Sequence, residues 1–271
     1  MAALDATLAG HVADGQAPGL VALVTRGGDE GSAAVHVTVA GQTALGEAPP
    51  MARDSIFRIA SLAKPVVGVA AMLLIQDGAL ALADPVERWL PELAGRRVLR
   101  TLESPLDDTV PASRPLTVED VLSFRFGFGT IMAPGRYPVA DAEGALGLKT
   151  LTPPWPPATL TSAEWIAALG TLPLMDQPGE RFRYNAGATV AGILIERVAG
   201  ASLPEVLAKR VFEPLGMNDT GFQVPPGKLG RFTAMYRPGD YPGTENPDPG
   251  ALTLFDPPGG WYAGPPRPAV A

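Results

Sequence analysis

The order of apolar and polar positions places a helix and two strands in the first part of the chain. Residues 3–14 have the spacing of a short amphipathic helix, and "GLVALVTRGG" and "AAVHVTVAGQTALG" alternate as strands do, with "GGDEGS" as the loop between them. The pattern predicts an antiparallel hairpin. An isolated hairpin is at best marginally stable in water, and the sequence offers few further strands to complete a sheet.

The longest apolar run, Pro65 to Ile75, predicts a core helix. Its eleven residues are too few for a helix to cross a hydrocarbon layer about 30 Å thick. Asp77 and Gly78 follow it and are typical of a helix end. We therefore expect no membrane-spanning segment here.

The middle of the chain has the pattern of several helices. "LTVEDVLSF" and "TSAEWIAALGTL" each contain a threonine three residues before an acid, which is typical of an N-terminal cap. Ser162 is an alternative cap in the second. "ATVAGILIERVAG" and "SLPEVLAKRVFEPLG" predict two more helices. Residues 133–160 are rich in Pro and Gly and predict a long loop.

These elements predict three segments. Residues 1–85 form the N-terminal part of an α/β domain, with a helix, the hairpin and the apolar helix. Residues 86–222 form a mainly helical domain. Residues 223–271 form an incomplete return segment, because their many Pro and Gly residues allow loop and at most a weak hairpin.

Composition excludes several functions. The 271 residues include no cysteine and only two histidines, so disulfides are excluded and no metal site is expected. A net charge of -7 argues against nucleic acid as a partner. Asp5 and Asp14 lie where a signal peptide would be basic and apolar, which predicts a cytoplasmic protein. "GFGTIMAPG" lacks the glycine offsets of a dinucleotide turn, and we expect no cofactor.

Candidate chemistry lies at the start of the apolar helix, in "RIASLAKPVV". Lys64 is the only charge between Ile59 and Ile75, and burying an isolated ammonium is costly. Positions i and i+3 share a helix face, so Ser61 and Lys64 bring a hydroxyl and an amine together. Because Pro65 is tolerated mainly in a first helical turn, Ser61 lies at a helix start, where backbone N–H groups favour developing negative charge. Apolar neighbours would favour the neutral amine that a general base needs.

Two longer stretches resemble the serine β-lactamase-like family, which includes class C β-lactamases, DD-peptidase-type penicillin-binding proteins and family VIII carboxylesterases. The stretch "FRIASLAKPVVGVAAMLLIQDGALALADPVERWLPEL" is similar to its nucleophile segment, and "QPGERFRYNAGATVAGILIERVAGASLPEVLAKRVFEPLGMNDTGF" is similar to its tyrosine segment. The similar stretches cover most of residues 15–225.

The resemblance implies an α/β (α+β) fold of β-lactamase/transpeptidase type, with an antiparallel sheet flanked by helices, an all-helical domain and the active site between them. It also implies that Ser61 is acylated, that Lys64 serves as base together with Tyr184, and that water releases the acyl group. A phenol acts as a base only beside positive charge, so Lys64 and Tyr184 are treated as one coupled pair.

The sequence departs from the lactamase pattern at two places. The pattern has Asn two residues after the Tyr, where this chain has Ala186, while Asn185 comes one position early. "SFRFGFGTIM" replaces a His-Thr-Ser-Gly loop. Both departures favour an esterase that takes a small-molecule ester over turnover of a β-lactam-like substrate. Asn185 and Phe126 are the candidate substrate-binding residues, and the other aromatic candidates for an acyl pocket are Phe128, Trp155 and Trp165.

The third family motif, Lys-Thr-Gly or His-x-Gly on a late strand, has no counterpart in the sequence. Together with the few strands, this predicts a chain about a third shorter than its relatives, with C-terminal strands missing. One oxyanion-hole N–H would come from Ser61, and its usual partner lies on the missing strand. The leading interpretation is a carboxylesterase. The alternatives are a non-catalytic binding protein, and a β-lactamase or DD-peptidase. An exposed sheet edge also predicts self-association.

Overall fold

The computed structural model describes residues 1–27, 34–148, 160–238, 251–260 and 263. The chain divides into two units. The first contains Met1–Arg58 and the described part of Gln223–Pro265, and the second contains Ile59–Phe222. The three predicted segments, with boundaries at 85 and 222, stay a prediction.

The first unit begins with the predicted helix and hairpin. Helix α1 (Ala2–Ala13) precedes strands β1 (Gly19–Arg26) and β2 (Ala34–Gly41), which pair antiparallel from Gly19 opposite Gly41 to Arg26 opposite Ala34. No residue of α1 is buried, and polar contacts join it to β2.

Asp5 of α1 is the centre of these polar contacts. It accepts a hydrogen bond from Thr38, and its carboxylate lies 2.7 Å from His36 Nε2. The hydrogen bond from Thr38, and then that from His36, lower the pKa of Asp5 below its ordinary value.

The late part of the first unit contains the weak hairpin that the sequence predicts. Strands β5 (Met235–Pro238) and β6 (Leu252–Asp256) pair antiparallel. Ile56 and Phe232 form a parallel bridge and pack with Val224 in a small apolar cluster.

Five helices of the second unit carry about half of its buried apolar core: α2 (Ala63–Gln76), α4 (Pro138–Ala145), α5 (Ser162–Thr171), α6 (Ala186–Ala199) and α7 (Leu203–Leu207). A short helix, α3 (Val118–Leu122), precedes α4, and a π-helical turn, Ala208–Phe212, extends α7. Single 3-10 turns lie at Ala60–Leu62, Val86–Arg88 and Pro91–Leu93. Ten consecutive residues of α6, from Ala186 to Ile195, are buried, and α6 packs against α2.

Both predicted N-terminal caps are confirmed. The Thr117 hydroxyl accepts from the Asp120 N–H, and Thr161 makes the same bond with Glu164. In each case the acid side chain accepts from the N–H of the capping residue, so two backbone donors gain partners.

Two elements were not predicted. Residues 133–160 were predicted to be a loop, yet α4 occupies 138–145, because Pro138 at the first helical position has a backbone angle preset for a helix and no N–H to satisfy. Residues 149–159 of that loop lie outside the described residues. The second element is a short hairpin of β3 (Arg97–Leu99) and β4 (Thr109–Pro111), too short to give a periodic pattern.

Each of the three strand pairs is a two-stranded antiparallel sheet, so the part of the chain that the structure describes is mixed α and β. No helix within the described ranges has the length and hydropathy needed to cross a bilayer.

Candidate active site

Ser61, Lys64 and Tyr184 come together in the second unit. Lys64 Nζ donates a hydrogen bond of 3.0 Å to Ser61 Oγ, and Tyr184 Oη donates one of 2.8 Å to the same oxygen. Lys64 Nζ also lies 5.1 Å from the centroid of the Tyr184 ring, within reach of a cation–π interaction. One serine oxygen thus accepts hydrogen bonds from an amine and a phenol, although 123 residues separate Ser61 from Tyr184.

The start of α2 positions Ser61 and Lys64. Ser61 lies in the 3-10 turn Ala60–Leu62, and α2 begins two residues later, so Lys64 is its second residue. The prediction that the helix begins near Ser61 is therefore confirmed to within one turn. Ser61 is exposed.

Lys64 is half-buried, which differs from the expectation of a lysine among apolar side chains. The apolar residues near it in sequence do not all turn inward: Leu62 is 70% exposed and Val69 49%. The amine gains hydrogen-bond and ring contacts instead of an apolar enclosure.

Tyr184 is held by the loop that precedes α6. Its carbonyl accepts a 2.9 Å hydrogen bond from the Thr130 N–H, and the N–H of Arg183 donates to the Phe124 carbonyl at 2.8 Å. The segment "SFRFGFGTIM" is thus bonded along its backbone to the residues around Tyr184.

Gly129 allows this close approach of two backbones. Its φ is +155°, and a Cβ there would lie 2.6 Å from the Tyr184 carbonyl oxygen and 2.8 Å from that of Arg183. Only glycine fits such a position without moving the tyrosine loop.

Three non-glycine residues in the described ranges have positive φ, and all three adjoin the site. Ala60 (φ +43°) precedes Ser61, and Asn185 (φ +86°) follows Tyr184. Phe124 (φ +60°) stacks on the Tyr184 ring, with centroids 6.3 Å apart. Strained backbone of this kind concentrates at functional sites, where the surrounding structure holds it in place.

The predicted substrate-binding residues differ in placement. Asn185 occupies the position before the first residue of α6 and is 8% exposed. Phe126 lies in the core of the second unit with no exposed area, which favours packing over contact with substrate. Phe128 and Trp165 are buried in the same core, and Trp155 lies outside the described residues. The binding roles of Asn185 and Phe126 stay predictions.

The sequence analysis did not identify two aromatic residues that lie beside Tyr184. Phe124 and Phe182 have ring centroids 5.8 Å apart, and Phe182 is 62% exposed. Phe124 belongs to the same segment, "SFRFGFGTIM", as Phe126 and Phe128, so the composition of that segment does not separate it from the buried residues. The useful signal was position, since Phe182 stands two residues before Tyr184.

Comparison with known proteins identifies the family. A family model described as Beta-lactamase matches residues 4–266. The chain belongs to this family. The predicted β-lactamase/transpeptidase-like fold is also confirmed, because a solved structure described as "EstCE1, a hydrolase with promiscuous acyltransferase activity" matches with a TM-score of 0.69 and 27% identity, covering 87% of this chain and 56% of that one.

Curated relatives in the Beta-lactamase family include an esterase. Protein Rv1367c of Mycobacterium tuberculosis is 40% identical over 188 residues, which are 69% of this chain and 44% of the relative. Esterase EstB of Burkholderia gladioli is 31% identical over 222 residues, which are 82% of this chain and 51% of EstB. The chain thus spans about half the length of these relatives.

Proposed function

We propose that this chain is a serine hydrolase of the carboxylesterase type that acts on small-molecule esters through an acyl-enzyme on Ser61. The observation that carries the proposal is the pair of hydrogen bonds that Ser61 Oγ accepts from Lys64 Nζ and Tyr184 Oη. A nucleophile within hydrogen-bond reach of a base, which is in turn oriented by a third group, is the arrangement that covalent catalysis needs. The esterase EstB among the relatives supports the choice of ester.

Acylation begins when Ser61 Oγ attacks the ester carbonyl carbon. Ser61 must lose its proton as the new bond forms, and Lys64 and Tyr184 both reach the oxygen. Because both donate to Oγ in the structure, one of the two must first be deprotonated to accept the serine proton. In this proposal the two groups therefore share the role of base.

The remaining steps return that proton. The tetrahedral intermediate collapses, the alkoxide leaves, and it takes the proton from the pair to depart as an alcohol. Water then attacks the acyl carbon, the pair accepts the proton of the water, and Ser61 Oγ leaves and recovers its hydrogen. Ser61 lies at a helix start, where backbone N–H groups stabilise negative charge on the carbonyl oxygen.

The direct test is the intact mass of the chain after incubation with a fluorophosphonate and, separately, with an activated short-chain ester. We expect an adduct on the parent chain and none on Ser61→Ala. Ser123→Ala is the matched control, because Ser123 is exposed but donates to the Glu119 carbonyl at 2.7 Å, and it should be labelled like the parent.

A second candidate function is binding without turnover. It is the alternative that the sequence analysis left open, and the labelling experiment decides between the two functions. If a sample with native circular dichroism forms no adduct with either reagent, the non-catalytic function replaces the hydrolase. If the adduct forms but esters are turned over slowly, the oxyanion site lacks a hydrogen-bond donor. Loss of one such donor lowers turnover about 100- to 1000-fold in a well-studied protease.

A further inference from the structure

We propose that Phe182 and Phe124 form an aromatic shelf beside Tyr184 that binds an apolar chain or ring of the ester substrate. The inference rests on the proposed function, since it assigns a substrate class to the same site. The ligand chemistry is a neutral apolar group, carried on either the acyl or the alcohol side of the ester.

The first observation is continuity of the rings with the nucleophile. Tyr184 Oη contacts Ser61 Oγ, and Phe124 stacks on the Tyr184 ring with centroids 6.3 Å apart and an interplanar angle of 14°. The centroid of the Phe182 ring lies 5.8 Å from that of Phe124. These contacts link the three rings in a row of neighbours, and the hydroxyl of the first ring contacts the Ser61 oxygen. A substituent that runs from an ester at Ser61 along this row meets aromatic surface.

The second observation is exposure. Phe182 is 62% exposed and Phe124 is half-buried, whereas the phenylalanines of the neighbouring segment, Phe126 and Phe128, are at most 1% exposed. Folding therefore makes little use of the Phe182 ring. Its apolar surface remains open for a ligand, and covering such surface is favourable.

The third observation is rigidity. The Phe124 N–H donates to the Val121 carbonyl at 3.1 Å, and the Phe124 carbonyl accepts from the Arg183 N–H. Arg183, the residue after Phe182, is thereby tied to the backbone of Phe124. A binding surface fixed in this way loses little conformational freedom when a ligand arrives.

The charged side chains next to Phe182 already have a partner. Arg181 and Arg183 flank Phe182, but both contact the carboxylate of Asp176. Leu62, which follows Ser61, is 70% exposed and adds apolar surface on the nucleophile side. The exposed apolar surface of Phe182 and Leu62 is what favours an ester with an apolar substituent.

The test compares two ester series on the parent chain and Phe182→Ala. The acyl series is para-nitrophenyl acetate against para-nitrophenyl octanoate, and the alcohol series is methyl acetate against phenylpropyl acetate. We expect Phe182→Ala to lower kcat/KM for the apolar member of one series about tenfold, and to leave the small esters within about twofold. The series that responds identifies the side of the ester that the shelf holds.

Two further variants control this result. Phe182→Leu keeps apolar surface and should recover most of the lost selectivity. Leu215→Ala removes another apolar side chain, 69% exposed, and should leave all four esters unchanged. If Phe182→Ala affects small and apolar esters equally, or affects none, the shelf does not bind substrate.

A binding measurement separates this proposal from the proposed function. Phenylbutanone has the carbonyl and the apolar ring but no bond to hydrolyse, and its affinity for Ser61→Ala is measured by calorimetry. We expect about tenfold weaker binding when Phe182→Ala is added. If no ester is turned over but phenylbutanone binds more weakly when Phe182→Ala is added, the proposal of the shelf is supported and the proposal of a hydrolase is overturned. If esters are turned over and neither selectivity nor affinity depends on Phe182, only the shelf is overturned.

Discussion

Arg183 and Asp176 form an almost buried ion pair one residue before Tyr184. Their side chains are 7% and 12% exposed, Arg183 Nη2 lies 3.1 Å from Asp176 Oδ1, and Arg183 Nε donates to the other carboxylate oxygen. The backbone N–H of Asp176 in turn donates to the Gly127 carbonyl. The pair therefore fixes the chain at the point where the tyrosine leaves the loop.

Asp176→Asn should impair both stability and catalysis. The substitution leaves a buried guanidinium without its charge partner, which costs about 3 kcal/mol of unfolding free energy. A mobile Tyr184 should lower kcat for an activated ester about tenfold with KM nearly unchanged, because the substrate still binds. Chemical denaturation and steady-state kinetics at a temperature where the variant is folded measure the two effects.

Asp141→Asn is the matched control for that variant. Asp141 is 64% exposed and lies 3.8 Å from Arg136, so its charge contributes little. Equal kcat in the parent and Asp176→Asn would show that the ion pair supports the fold without positioning Tyr184.

Tyr184→Phe removes the Oη atom and keeps the ring that stacks on Phe124. We expect acylation of Ser61 to slow about 100-fold or more, since one of the two groups on Oγ is lost. The rate of fluorophosphonate labelling, followed by intact mass, measures this. Tyr137→Phe loses only a 3.3 Å bond to the Pro134 carbonyl and should label at the parent rate; similar slowing of both variants would contradict the assignment.

Asn185 can be tested for the two roles that its position allows. If its side chain contacts substrate, Asn185→Gly and Asn185→Ala should both raise KM. If its main role is the φ of +86°, glycine should be tolerated, and alanine should cost about 1 kcal/mol or more of unfolding free energy. We expect the backbone effect to dominate stability, so that the alanine variant melts below the glycine variant.

Glu92 should make the second unit sensitive to acid. Arg197 donates hydrogen bonds of 2.6 and 2.8 Å to its two carboxylate oxygens, and these bonds lower the pKa of Glu92 below its ordinary value of 4.5. The folded state thus binds this proton more weakly than the unfolded state. The stabilisation is complete above pH 4.5 and is lost as the pH falls through the folded value.

Glu92→Gln should consequently lower the melting temperature at pH 7, by an amount equivalent to about 1 kcal/mol or less, and the difference from the parent should shrink towards pH 3. Thermal melts across this range measure it. Glu213→Gln, at an exposed position, should follow the parent at every pH. If the difference in melting temperature between Glu92→Gln and the parent stays constant with pH, ionisation of Glu92 beside Arg197 does not cause the loss of stability.

The β1–β2 hairpin is where we expect self-association. Leu23, Val35 and Val39 lie on one face by register and are 57%, 51% and 39% exposed, and in the described part of the chain no third strand joins this sheet. Sedimentation should show mass that rises with concentration, and Leu23→Lys should reduce it. A monodisperse monomer at high concentration would contradict this prediction.

Local signals predicted most of the helices and the hairpins. The Thr117 and Thr161 caps and the glycine after Asp77 act within one helical turn, so their effect is visible in the sequence itself. Helix α4 escaped prediction because the overall Pro and Gly content of its region outweighed Pro138 as a start signal. The β3–β4 hairpin escaped because three residues are too few to show alternation.

In the candidate site too, contacts within one helical turn could be predicted from the sequence, and contacts between distant segments could not. The spacing of Ser61 and Lys64 predicted their contact, since both lie in one helical turn. The contact with Tyr184 followed only from family resemblance, because the packing of distant helices leaves no local pattern. Phe182 and Asp176 were missed for that reason: ring stacking and a buried ion pair depend on where two loops meet.

Because α2 packs against α6, labelling of Ser61 can be used to measure how much of the chain is folded. Lys64 and Tyr184 meet Ser61 only where the start of α2 and the loop before α6 are assembled, so under the proposed function the reactivity of that oxygen would depend on this packing. A reagent that labels Ser61 would count native molecules in a mixture, without a separate spectroscopic probe. In a cell extract, the labelled fraction would report how much of the chain has reached its tertiary structure.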